Sequence, residues 1–352
     1  MKKVISGIQQ VGIGVVNAEE AFQWYKKYFG MDILVFQDEA EAKLMTRYTG
    51  GIVQKRNAYL ALNMQSGGGF EIWQYTSRIP QPSSKPVELG DLGIFCIKMK
   101  SKNVKESYDF YKSENLNLLS EIKNNPAGNP HFFLNDPYGN TFEIIEHDYW
   151  FTNNKDRTGG VAGTVIGVSN MEKSMDFYKN ILGYDQIIYD KSGTFDDFKT
   201  IGRNGNQKYR RVLLKHSIPY KGGFTNLLGP SELELVQSID GIGTKIFENR
   251  FWGDLGYIHL CFDINGMDHH ENECEKLGFP LTVNSKNSFD MGEAAGQFVY
   301  NEDPDGTLIE YVETHKVPII KKIGWYLNLK KRNPEKALPN YIIKAMRFSR
   351  VK

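Results

Sequence analysis

Asp303-Pro304-Asp305-Gly306-Thr307-Leu308-Ile309-Glu310-Tyr311-Val312-Glu313 is a tight turn that feeds an apolar strand with a carboxylate in its middle. Proline presets one backbone angle and glycine takes a positive one, so Asp-Pro-Asp-Gly reads as the turn. Leu308 to Val312 then reads as a strand. Glu310 within it calls for a cation, a metal or a set of donors, because a buried carboxylate without one is costly. The same arrangement stands earlier as Asp136-Pro137-Tyr138-Gly139-Asn140-Thr141-Phe142-Glu143-Ile144-Ile145-Glu146. The chain repeats itself.

Outward from these two turns the repeat proves to be fourfold. Ile8 to Val16 reads as a strand, Asn17 as a helix N-cap, and Ala18 to Phe29 as a helix closed by Gly30. Val161 to Val168, Asn170, Met171 to Leu182 and Gly183 repeat that order. These two units end in Phe70-Glu71-Ile72-Trp73-Gln74 and Leu233-Glu234-Leu235-Val236-Gln237. A second kind of unit comes after each. Asp91 to Ile97 opens one, with a helix from Val104 to Ser113 and Glu143 in its last strand; Asp254 to Phe262 opens the other, with a helix from Met267 to Leu277 and Glu310 in its last strand. Four βαβββ modules result, none large enough to be stable alone.

Composition bounds the class. A length of 352 residues suits two domains of ordinary size, and 40% hydrophobic with 24% charged residues is a globular balance. No uncharged apolar run is long enough for a membrane span. Met1-Lys2-Lys3 could open a secretion signal, but Gln9 and Gln10 interrupt the apolar stretch behind it, so a cytoplasmic location is expected. Cys96, Cys261 and Cys274 are too scattered for a disulfide framework; Cys96 and Cys261 are expected at matching strand positions as small core residues. The net charge of +1 hides an asymmetry: residues 1–315 carry 32 basic and 41 acidic side chains, and the remainder eleven basic and one acidic. No nucleic acid partner is expected. The basic tail is expected to lie along its own acidic body, contact with an anionic membrane surface being the weaker alternative. No phosphate-cradling loop, nucleophile elbow or dinucleotide fingerprint occurs. Oligomeric state is not legible.

With the turns, the repeated strands and Val168-Ser169-Asn170-Met171-Glu172-Lys173-Ser174-Met175-Asp176-Phe177-Tyr178 in view, residues 4–315 resemble the vicinal oxygen chelate superfamily. That superfamily includes glyoxalases, bleomycin resistance proteins, extradiol dioxygenases and epimerases. The resemblance implies an α+β chain whose four βαβββ modules form two glyoxalase-like domains with curved mixed sheets. Residues 1–147 are expected to be the first, 148–160 a linker, 161–315 the second, and 316–352 a basic extension.

The resemblance also implies one divalent metal, Zn, Ni, Mn, Co or Fe, held by residues of the first and last strands of paired modules. Those positions are Gln10 and Glu71 in module one, Ile94 and Glu143 in module two, Gly163 and Glu234 in module three, and His259 and Glu310 in module four. Modules paired within each half leave each site a ligand short, the better of them being Glu234, His259 and Glu310. Modules exchanged between halves assemble Gln10, Glu71, His259 and Glu310. Both pairings stand at this point. His131, His147, His216 and His315 have no partners at motif spacing, and His269-His270 is expected on a solvent-facing helix. The expected function is that of a metal-dependent lyase or isomerase acting on a small oxygenated organic molecule, with Glu310 as the base that moves a proton beside a carbonyl or enediolate. The alternatives are a ring-cleaving dioxygenase and a non-catalytic binder of a hydrophobic small molecule.

Overall fold

The computed structural model describes residues 2–202, 205–286, 289–290, 295–320 and 324–351. Module one comprises β1 (Val4–Gly14), α1 (Ala18–Phe29), β2 (Ile33–Glu41), β3 (Lys55–Leu62) and β4 (Gly69–Tyr75). Module two comprises β5 (Gly93–Ser101), α2 (Val104–Ser113), the short β6 (Asn117–Leu118) and β7 (Lys123–Asn124), β8 (Pro130–Asn135) and β9 (Thr141–Glu146). Module three runs through β10 (Thr158–Gly167), α3 (Met171–Leu182), β11 (Gln186–Gly193), β12 (Tyr209–Lys215), the one-turn α4 (Thr225–Leu228) and β13 (Glu232–Ser238). Module four has β14 (Gly256–Asn265), α5 (Met267–Lys276), β15 (Val283–Asn284), β16 (Phe289–Asp290), β17 (Ala295–Glu302) and β18 (Leu308–Ile320). The tail adds β19 (Trp325–Asn328) and α6 (Asn340–Ala345).

Helix starts follow from local chemistry. Asn17 accepts a hydrogen bond from the Glu20 amide at 3.2 Å, and Asn170 one from Lys173 at 3.0 Å, each satisfying an amide that the first turn leaves without a partner. Gly30 and Gly183 end their helices with left-handed backbone. The apolar faces of α1 and α3 then bury Phe22, Tyr25 and Phe29, and Phe177, Tyr178 and Ile181.

Two mixed sheets carry the fold, and their composition decides where any site can form. One runs β15-β17-β18-β14-β1-β4-β3-β2, the other β11-β12-β13-β10-β5-β9-β8-β6. Each is joined at its centre by an antiparallel pair of first strands, β1 with β14 and β10 with β5. Module one therefore shares a sheet with module four, and module two with module three. The sequence halves 1–147 and 161–315 each give one module to either sheet, and β10 begins at Thr158, inside the expected linker.

Helices tie the sheets together across the other pairing. The Tyr25 hydroxyl of α1 donates to Asp136 in the module-two turn at 2.6 Å, and the Tyr178 hydroxyl of α3 donates to Asp303 in the module-four turn at 2.9 Å. Asp303 also accepts amide hydrogen bonds from Asp305 and Thr307, so it braces its own turn and anchors a neighbouring helix. The largest apolar cluster draws on all four modules, with Val11, Phe70, Phe142, Phe177, Leu235 and Tyr311 among its members. Each such side chain, fully buried, contributes on the order of 1.5–3 kcal/mol.

The tail continues the body. β18 runs on to Ile320, well past the expected end at Val312, and pairs with β19. Leu338, Ile343 and Met346 pack into an apolar cluster with residues of modules one and four, and Arg350 pairs with Asp32 at 2.8 Å. No helix among the described residues is long and apolar enough to cross a membrane.

Because the Tyr178 hydroxyl is fully buried on a carboxylate, Tyr178→Phe should lower unfolding free energy by about 1.5–3 kcal/mol in urea titration, and Tyr25→Phe by a similar amount. A loss below about 0.5 kcal/mol in both would mean that these hydroxyls do not hold the modules together.

Candidate metal centre

The centre lies on the concave face of the sheet shared by modules one and four. β1 and β14 run antiparallel with Gln10 opposite Cys261 and Gly12 opposite His259. β4 lies parallel to β1 with Glu71 beside Gly12, and β18 lies parallel to β14 with Glu310 beside Cys261. This register brings Gln10, Glu71, His259 and Glu310 together, as the exchanged pairing implies. His259 Nε2 is 3.3 Å from a Glu71 oxygen and 3.1 Å from a Glu310 oxygen. The amide nitrogen of Gln10 lies 3.5 Å and 3.4 Å from the same two oxygens.

Close approach makes the histidine possible. A methyl group added to Gly12 would lie 2.5 Å from the His259 ring carbon Cε1, so the imidazole occupies space that any side chain at position 12 would take. Tyr300 on β17, opposite Glu310, places its hydroxyl 3.5 Å from His259 Nδ1 and orients the ring from its other side. Tyr300 was not singled out from sequence, since an aromatic residue in a strand carries no signal of its own.

All four polar residues are buried, and His259 is fully so. Burial by itself would depress the imidazole; the facing Glu310 and Glu71 carboxylates overcome this and hold His259 up at about 9. Burial raises Glu310 in turn, and His259 more than reverses it, leaving the carboxyl below its ordinary value.

The donor set fits a divalent cation. One atom each from Glu71, His259 and Glu310 lies within 4.8 Å of the others. Neither carboxylate has a lysine or arginine ion pair among the described residues. Gln10 Oε1 is buried without a hydrogen-bond partner there, and rotation of the amide by half a turn would present it to the same centre. Two carboxylates, one imidazole and a neutral oxygen suit a hard to borderline ion.

A cavity of about 410 Å³ opens above these residues. Its wall is largely apolar, with Val35, Leu60, Leu62, Trp73, Phe298 and the tail residue Met346. Asp263, two strand positions beyond Cys261, lines it too; burial pushes its carboxyl up to about 7, and Gln9 approaches it at 3.5 Å.

The sheet of modules two and three answers the same problem differently. Glu143 and Glu234 occupy the places of Glu310 and Glu71, but Glu234 is not near His259. Register puts Lys98 where the other sheet has Cys261, and Cys96, rather than the expected Ile94, where it has His259. The two cysteines are thus not at matching positions. Val165 stands opposite Cys96 as Gly12 stands opposite His259, which leaves no room for an imidazole. At Gly163 an added methyl group would collide with the Glu232 carbonyl oxygen, so that strand position holds no ligand.

The Lys98 ammonium fills the centre. It lies 3.3 Å from Glu143, 3.0 Å from Glu232 and 2.8 Å from Glu234. Arg211, also fully buried, bridges Glu234 and Asp197, each at 2.7 Å. Burial opposes ionisation of Glu234, yet Arg211 and Lys98 hold it well below the usual carboxylate range. His131, given no role from sequence, sits between Glu143 at 2.6 Å and Asp197 at 3.3 Å. Burial would lower it, but those carboxylates raise it to about 9. His270 also departs from expectation: it is fully buried, with its ring 4.0 Å from that of Tyr311.

Residues 7–144 match the family model described as the Glyoxalase/Bleomycin resistance protein/Dioxygenase superfamily. Among solved structures, glyoxalase I from Zea mays is similar over 89% of this chain and 92% of its own, at 15% identity and a TM-score of 0.55. A point mutant of that enzyme gives 16% identity over the same shares with a TM-score of 0.57. A proposed dioxygenase from Bacillus subtilis is similar over 89% of this chain and 86% of its own, at 14% identity and a TM-score of 0.55. These likenesses are ones of fold. No curated protein matches.

A histidine held at about 9 against an ordinary 6.5 contributes stability that is present in full below pH 6.5 and lost as pH rises through 9. Between those pH values the wild-type protein should therefore lose roughly 2–3 kcal/mol more stability than His131→Gln, as read by chemical denaturation at each pH. Parallel pH profiles for the two proteins would contradict a charged His131 in the network.

Proposed function

We propose that this chain, whose residues 7–144 match the Glyoxalase/Bleomycin resistance protein/Dioxygenase superfamily model and whose fold is similar to that of glyoxalase I, is a metal-dependent lyase or isomerase of glyoxalase type. The observation that carries this is the convergence of Glu71, His259 and Glu310, with Gln10, at the floor of an apolar cavity. Gln10, Glu71, His259 and Glu310 would hold one divalent ion, which when bound would polarise a substrate oxygen and stabilise negative charge growing on it.

The chain's own groups supply the rest. Glu310 is the proposed base: its carboxylate, at the floor of the cavity, can take a proton from the carbon beside a carbonyl and return it to the neighbouring atom. Glu71, which approaches the same His259 nitrogen as Glu310, is placed to receive or donate the second proton of such a transfer. The apolar wall excludes water from the carbanion-like species and favours a substrate that is apolar beyond its oxygen pair. Ring cleavage of the extradiol type uses two histidines and one carboxylate, whereas this cluster has one histidine and two carboxylates among the described residues.

Metal analysis of purified protein should find about one divalent ion per chain. His259→Ala and Glu71→Ala should remove it, Gly12→Ala should weaken it by displacing the imidazole, and Glu234→Ala should leave it unchanged. Loss of metal in Glu234→Ala with retention in Glu71→Ala would contradict the site. A metal-free protein that retains an organic ligand would favour the non-catalytic alternative.

Catalysis has its own readout. With hydroxyketone probes in D₂O, the metal-loaded protein should exchange the proton beside the carbonyl, and Glu310→Gln should slow exchange by roughly 10²–10⁴-fold. Equal exchange in both proteins would remove Glu310 as the base.

A further inference from the structure

A second cavity, of about 400 Å³, lies at the junction of the two sheets and is separate from the proposed metal centre. It is bounded by the segment 245–252, the start of β14, the start of β5 and the module-four turn around Gly306. Its charged groups are three bases and one carboxylate, Asp305. Arg47, Lys245 and Arg250 all line it.

Their charges are only partly met locally. Arg250 donates to the carbonyls of Ile246 at 2.5 Å and Leu255 at 2.7 Å, which fix the guanidinium without neutralising it, and its face lies 4.3 Å from the Phe247 ring centroid. Lys245 has no ion pair among the described residues, and Arg47 has only Glu302 at 3.8 Å. Three carboxylates nearby are engaged: Glu302 accepts from the Tyr48 hydroxyl at 2.6 Å, Asp305 from the Ser169 amide at 2.9 Å, and Asp254, which also acts on Arg250, pairs with Arg78 at 2.6 Å.

The remaining wall is aromatic, with Phe247, Phe251 and Tyr257.

We propose that this cavity binds a small aromatic carboxylate, its anion received by Arg250, Lys245 and Arg47, and its ring held between the aromatic side chains. Fixed N–H donors with positive charge select a carboxylate, and flat apolar walls select a ring over a hydrated inorganic anion. Trp252 also lines the first cavity, stands edge-on to Trp73 at 4.3 Å and lies 6.3 Å from Tyr300, so an occupant is reported by tryptophan fluorescence. The proposal does not depend on a metal at His259.

Benzoate and its neutral counterpart benzamide, titrated by calorimetry and tryptophan fluorescence into the full chain, test it. Benzoate should bind one per chain with a Kd on the order of 0.1 mM at low salt, and benzamide at least about tenfold more weakly. The double variant Arg47→Ala, Lys245→Ala, both exposed positions, should lose about tenfold or more in benzoate affinity. His259→Ala and Glu71→Ala should bind benzoate as the wild type does. The proposal is overturned by absence of saturable binding up to about 10 mM, by equal binding of benzamide, by indifference to the double variant, or by loss of binding in His259→Ala.

Discussion

The structure depends on the antiparallel register of β1 and β14, which sets Gly12 opposite His259 and Gln10 opposite Cys261. Side chains alternate across a strand, so a slip of one residue would turn the whole polar set to the other face. With the register fixed, β4 and β18 lie on either side of the pair and deliver Glu71 and Glu310 from opposite edges. Two ends of the chain thus build one face. The same helices that cover the sheets then lock modules one to two and three to four through Tyr25 and Tyr178, so each module is held by two different partners.

The two sheets solve one electrostatic problem in two ways. Both bring a pair of buried glutamates to the middle of a concave face, and such a pair is unstable without positive charge. In modules two and three the charge is covalent: Lys98 and Arg211 belong to the chain, and His131 adds to them. In modules one and four the only cation of the chain within reach among the described residues is an imidazole, whose charge is lost on deprotonation. The first arrangement is closed to exchange. The second leaves room for a divalent ion and has a cavity above it, which is why the proposed chemistry belongs there and the other sheet serves the scaffold.

Much of this fold is legible in the sequence. Asn17, Asn170, Gly30 and Gly183 mark helix ends by chemistry local to the chain, and three helices run over the expected spans. The repeated turn at Asp136 and Asp303 locates the last strands with Glu143 and Glu310. The choice of partner for each module is not legible, because register between strands distant in sequence is set by fit across the sheet. Gly12 against His259, and Val165 against Cys96, are such fits; neither residue of a pair announces the other. For the same reason Lys98 and Arg211 pass as ordinary charged residues of a strand, and His131 and His270 as unattached histidines. A buried charge cannot be told from a solvated one until its neighbours are in place.

The proposed proton transfer at Glu310 presupposes that one ion sits across modules one and four. Anomalous diffraction from crystals grown with Mn or Zn tests this most directly. The account predicts a single strong peak at roughly 2.0–2.2 Å from oxygens of Glu71 and Glu310 and from His259 Nε2, with Gln10 Oε1 turned toward it. A peak beside Glu143 and Glu234, or none near His259 at saturating metal, would contradict it.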